Sequence, residues 1–173
     1  HRSRQGSREY LRLIFRQAPG AAWATDRELR LTHVQGRTAL LDEAEPIALR
    51  VLDAKDPIRL RISRQRATLL QRHGKLAEAI PALRSAYAQH RDALGPGDID
   101  TLLVHNDLAI VLSGLEQKAE SAAILTDIVT ESRTAFGDDN TWTLSFRANL
   151  AAILRDLGRF DEAVAELEAI IAV

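Results

Sequence analysis

The 173 residues are 46% hydrophobic and 27% charged, with a net charge of −1 and no cysteine. This is the composition of a soluble globular domain with one core; it excludes disulfides, thiolate nucleophiles and cysteine-based metal sites, and no apolar run approaches the ~20 residues of a membrane span. The segment 1–40 holds eight arginines against three acids (Glu9, Asp26, Glu28), so the rest of the chain sums to −6, which argues against a nucleic-acid binder.

From the N-terminus, Ser7 to Gln17 places Tyr10, Leu11, Ile14 and Phe15 at helical spacing opposite Arg8, Arg12 and Arg16, which predicts a short amphipathic helix. Ala18-Pro19-Gly20 breaks it. Leu29, Leu31 and His33 then alternate with Arg30 and Thr32, as a strand does, and residues 22–25 could pair with it in a short β-hairpin near residues 22–34. The run QAPGAAWATDRELRLTHVQGR resembles the opening hairpin of PAS sensory domains. Two strands cannot enclose a ligand, so no cofactor is implied. The alternatives are a sensor-domain remnant and a helix-capping segment. The N-terminus carries no recognisable signal peptide. A start without Met and an end within a helical pattern predict a piece of a longer, cytoplasmic protein.

Helical periodicity begins at Arg37, with Pro46 bending or interrupting the helix. Leu41, Ala44 and Leu52 fall one repeat period before Leu83, Ala86 and Leu94, as the second helix of a degenerate leading repeat would. Three hairpins follow. The predicted helices are Pro57–Arg72 and Leu76–Leu94, then Asp98–Leu115 and Lys118–Phe136, then Asp139–Leu157 and Phe160 to the end. Pro81 is early enough in its helix to be tolerated. Gly74 and Gly158 suit tight turns; Glu116, at the same place in the middle unit, predicts a less sharply wound one. The pair Asp138-Asp139 is expected to cap the helix that follows, and Asp161-Glu162 the last one.

The three units recur with a period of forty-two: RLRISRQRATLLQRHGKLAEAIPALRSAYAQ from Arg59, TLLVHNDLAIVLSGLEQKAESAAILTDIVTE from Thr101 and TLSFRANLAAILRDLGRFDEAVAELEAIIAV from Thr143. Ala67, Ala109 and Ala151 match, as do Leu70, Leu112 and Leu154, Leu83, Leu125 and Leu167, and the small residues Ala79, Ser121 and Ala163. Such self-similarity marks stacked helical hairpins. Small residues facing each other let paired helices approach closely, and the leucines fill the seam.

The pattern L-A-x-x-L-x-x-x-G-x-x-x-x-A-x-x-x-L, nearly complete in Leu150, Ala151, Leu154, Gly158, Phe160, Ala163 and Leu167, resembles the tetratricopeptide repeat. The long period and the linkers LGPGDIDTL and FGDDNTWTL resemble the kinesin light chain type. Lys118, Glu116 and Arg66 depart from the pattern. The resemblance implies an all-α, αα-hairpin solenoid, a right-handed superhelix of three full repeats and a partial one. It would occupy residues 37–173, behind an N-terminal segment of residues 1–36.

In that register the first helix of each hairpin lines a concave face. The expected groove residues are Arg61, Arg64, Gln65, Thr68 and Arg72, then Leu103, Asn106, Asp107, Ile110 and Ser113, then Ser145, Ala148, Asn149, Ala152, Arg155 and Asp156. Asn106 and Asn149 could bond a peptide backbone, and Arg61, Arg64, Arg72 and Arg155 could take carboxylates. The expected partner is a protein or an acidic peptide. The alternative is that these arginines are solvated surface. Ala163, Val164, Leu167, Ile170 and Ile171 form an uncovered apolar stripe, a face for further repeats or for a second copy.

His73, His90 and His105 lack metal-ligand spacing. Trp142 and Phe146, at i and i+4, could grip a ligand or pack over the linker. No nucleophile constellation or phosphate loop is present. The expected function is therefore a non-enzymatic interaction scaffold in a signalling or regulatory protein, without metal or cofactor. A sensory input module and a self-assembly module are the alternatives.

Overall fold

The computed structural model describes residues 46–172. It holds a short helix α1 (46–51), then α2 (Pro57–Arg72), α3 (Leu76–Leu94), α4 (Ile99–Gly114), α5 (Lys118–Phe136), α6 (Thr141–Asp156) and α7 (Phe160–Ile171). The expected helix at 7–17, the hairpin near 22–34 and the boundary at 36/37 lie outside the described residues. All the described elements are helical, and every substantial packing contact joins one helix to the next in the chain, with a lighter touch between α2 and α4. This is an αα-hairpin solenoid.

The period is visible in the helix starts. Asp56, Asp98 and Asn140 are the N-caps of α2, α4 and α6, and each side chain accepts the backbone N–H two residues on at 2.9 Å. Each satisfies a donor that the first turn leaves unpaired. The cap of α6 is thus Asn140 and not Asp138-Asp139. Asp138 instead holds Arg133 and Arg147. At α7 the cap position is Arg159, whose side chain makes no cap bond; Asp161 and Glu162 lie in the first turn, and Glu162 pairs with Arg159. Negative charge still sits where the helix dipole favours it.

Within each hairpin the turn closes the same way. Lys75 N–H donates to Leu70 O, Gln117 N–H to Leu112 O and Arg159 N–H to Leu154 O, at 2.9–3.0 Å. The residue before each donor is left-handed: Gly74 at φ 72°, Glu116 at φ 61° and Gly158 at φ 75°. The middle turn is therefore as tightly wound as the others. Glu116, though exposed, thus adopts a conformation that a side chain disfavours, as closing α4 onto α5 requires.

Ala67, Ala109 and Ala151 are buried where paired helices meet, opposite Ala79, Ser121 and Ala163. Ser121 turns its hydroxyl to use, donating to Ala109 O at 2.8 Å. Leu70, Leu83, Leu112, Leu125, Leu150 and Leu154 fill one continuous core. A smaller cluster, Ala48, Leu52, Ile62 and Leu69, seats α1 against α2. Burying such aliphatics contributes roughly 25 cal/mol per Å² of apolar surface.

Candidate functional site

The first helices of the hairpins, α2, α4 and α6, carry the expected groove residues. On α2, Arg61, Arg64, Gln65, Thr68 and Arg72 line one shallow recess of about 380 Å³ together with Leu69. These side chains recur at three- and four-residue spacing, so one helix face presents them together. The Thr68 hydroxyl is turned back to Arg64 O, and Arg64 bridges to Asp100 at the start of α4. Arg64 is therefore held in place by a carboxylate of its own chain.

Farther along, Asn149 Nδ2 on α6 donates to Asn106 Oδ1 on α4 at 3.0 Å. The two amides that sequence spacing aimed at a ligand thus meet each other across one repeat step. Asn106 is 8% exposed and Asn149 half-buried. The amide nitrogen of Asn106, with its two N–H groups, and the amide oxygen of Asn149 take no part in this bond, and together they offer the donor and acceptor that complement a peptide unit. Ile110 is exposed beside them. Ser145 is exposed but its hydroxyl returns to Thr141 O, and Arg155 pairs with the adjacent Asp156.

Asp107, next to Asn106, is half-buried, and desolvation raises its carboxyl above the usual range against the pull of Arg64. Trp142 and Phe146 divide the two roles open to them. Phe146 is buried in the core, and Trp142 lies against it with ring centroids 6.5 Å apart, keeping 45% of its surface exposed.

The histidines serve the fold. His73 is exposed at the end of α2, His90 is buried with Nδ1 2.8 Å from Ala86 O, and His105 is buried in a stack on Tyr87. Among the described residues no group of three or more His, Asp or Glu side chains converges as metal ligands would, and no described helix is long and apolar enough to cross a membrane.

The stripe on α7 is present but narrower than expected. Val164, Leu167 and Ile171 are 50%, 47% and 83% exposed and Ile170 is half-buried, whereas Ala163 is in the core. One repeat earlier the equivalent residues Ala122, Leu125, Ile128 and Val129 are all buried beneath α6. Sequence spacing missed the Asn106–Asn149 bond, the His105–Tyr87 stack and the buried Arg147. Their only signal was polar residues at positions that neighbouring repeats fill differently.

The comparisons agree with this geometry. Two family models, each described as tetratricopeptide repeat, match residues 59–130 and 143–173. A comparison with curated proteins returned no match. Among solved structures, the nearly identical TPR-like repeats of a kinesin light chain candidate from Podosopora anserina superpose with a TM-score of 0.72 at 22% identity, covering 98% of this chain and 75% of that one. BtubC (BKLC) from P. vanneervenii superposes with a TM-score of 0.65 at 15% identity, covering 99% of this chain and 72% of that one. MamA RS-1, as a double mutant, gives 0.61 at 14% identity, covering 96% and 84%. At these identities the likeness is one of fold.

Proposed function

Since this chain belongs to the tetratricopeptide repeat family, we propose that it is a non-catalytic scaffold holding an extended, acidic peptide segment of a protein partner along α2, α4 and α6. The observation that carries this reading is the Asn149–Asn106 pair beside the arginine-lined recess of α2. The amides offer one donor and one acceptor to a peptide backbone, and Arg61, Arg64 and Arg72 supply a positive field for carboxylates. Such a role suits a cytoplasmic signalling or regulatory protein in which residues 37–173 form the repeat domain and residues 1–36 a separate leading segment.

The test is fluorescence anisotropy with a labelled peptide bearing several glutamates before a free C-terminal carboxylate. The double substitution Arg64→Glu/Arg72→Glu should weaken binding at least about a hundredfold, two charge-assisted contacts being worth roughly 3 kcal/mol together. Arg72 is exposed, whereas Arg64 is half-buried and its change to Glu also removes the bridge to Asp100, so the melting temperature should fall slightly while the helical circular dichroism is kept. Equal binding by the variant would remove the reading.

A second reading, self-association, is favoured by the exposure of Val164, Leu167 and Ile171 where the equivalent residues one repeat earlier are buried. Light scattering over a concentration series tests it. A constant monomer mass, or a rising mass left unchanged by Leu167→Glu, counts against it.

A further inference from the structure

We propose that Asp107 sets the specificity of the groove by receiving a positively charged side chain, a lysine or arginine, of the same peptide whose carboxylates face the α2 arginines. This rests on the groove reading above. The side chain of Asp107 is half-buried, and no hydrogen bond or ion pair engages its carboxylate among the described residues. The cation whose field reaches it is Arg64, and that guanidinium is already bonded to Asp100. Its equivalents in the neighbouring repeats are the neutral Gln65 and Asn149.

A carboxylate partly withdrawn from water and left without a partner is costly to keep, and the solvent contact that Asp107 retains leaves it open to a ligand. Polar side chains close to it on the same face have found theirs: Thr68 bonds Arg64 O, and Asn106 and Asn149 bond each other. Asp107 contributes nothing comparable to the fold. Its chemistry is that of an acceptor with no internal donor, and the complement is an N–H group carrying positive charge. The recess of α2 lies one repeat step away. Helices pack roughly 10 Å apart and an extended chain advances about 3.3 Å per residue. The selected lysine or arginine should therefore fall about three residues from the acidic one.

The experiment is selection from a display library of random dodecapeptides on the full chain, on Asp107→Asn and on Arg64→Glu/Arg72→Glu. Asp107→Asn keeps the side chain's size and removes an unpaired, half-buried charge, so its melting temperature should equal or exceed that of the parent. The expected result is that the parent enriches peptides pairing Asp or Glu with Lys or Arg about three residues apart. Asp107→Asn should keep the acidic preference and lose the basic one, binding the parent's best peptides about tenfold more weakly. Peptides that are acidic but carry no basic residue, recovered alike on parent and Asp107→Asn, would overturn the role of Asp107 and leave the groove standing. A library that enriches nothing, or peptides that bind Arg64→Glu/Arg72→Glu undiminished, would overturn both.

Discussion

The imidazole of His105 lies on the phenol ring of Tyr87, with centroids 3.8 Å apart and planes 16° from parallel. The stack joins α3 to α4, and therefore the first hairpin to the second. Its Nδ1 is buried without a hydrogen-bond partner, and Arg91 approaches the same Tyr87 ring at 6.0 Å. The imidazole is thus kept neutral: burial lowers its pKa to about 4, with Asp127 opposing and Arg91 adding.

Stability should fall as the solution is acidified between about pH 6.5 and 4. Across that window the unfolded chain binds a proton on His105 that the native chain refuses, so the contribution is complete above the unfolded value and is lost as pH approaches the folded one. The loss is of the order of 2–3 kcal/mol. His90, lowered by its own burial, adds in the same direction. Urea midpoints at several pH values check this, and His105→Phe should flatten the slope; a slope unchanged in that variant would refute it.

Glu116→Gly should stabilise the protein by about 1 kcal/mol, since glycine adopts the left-handed conformation of that turn without strain. The exposed ion pair with Lys118 that it removes is worth little. Chemical denaturation of the two proteins side by side reads the difference.

Ser121→Ala should cost about 1 kcal/mol, the worth of one buried hydrogen bond to Ala109 O. Ala109→Leu should cost about 3 kcal/mol or more, because the side chain at that position is fully buried against the neighbouring helix. The contrast separates loss of a bond from loss of closeness, and thermal melts suffice to measure it.

Arg147 is buried on α6 and pairs with Asp138 at 2.9 Å and with Glu166 at 3.6 Å. Arg147→Ala should destabilise by about 3 kcal/mol by leaving Glu166 partly buried without its cation, while Arg147→Met, which keeps the volume, should cost less. Equal losses would mean that the lost ion pairs alone matter there and the side chain's volume does not.

Much of this molecule is legible in its sequence because the same neighbours recur at one fixed period. Period and small residues locate the hairpins, and α2, α3 and α5 have the expected ends. What fails to show are the positions where one repeat departs from the rest. Asn140 is hidden as a cap by the two acids that stand before it. Glu116 reads as a poor turn residue, yet the pairing of α4 with α5 overrides its preference. His105 has Ser63 and Arg147 at the equivalent positions, so repetition says nothing of its ring partner. Along α4 and α6, spacing brings Asn106 and Asn149 to equivalent faces but cannot reveal that they bond each other.

Among the described residues each hairpin packs on its immediate neighbours, and each opens on its own cap at Asp56, Asp98 or Asn140. A tug applied at the two ends would thus be shared among separate joints in series, no single one of which guards the whole. The array should yield stepwise under load, shedding terminal hairpins while the middle one still holds its shape, more like a hinged chain than a sealed box.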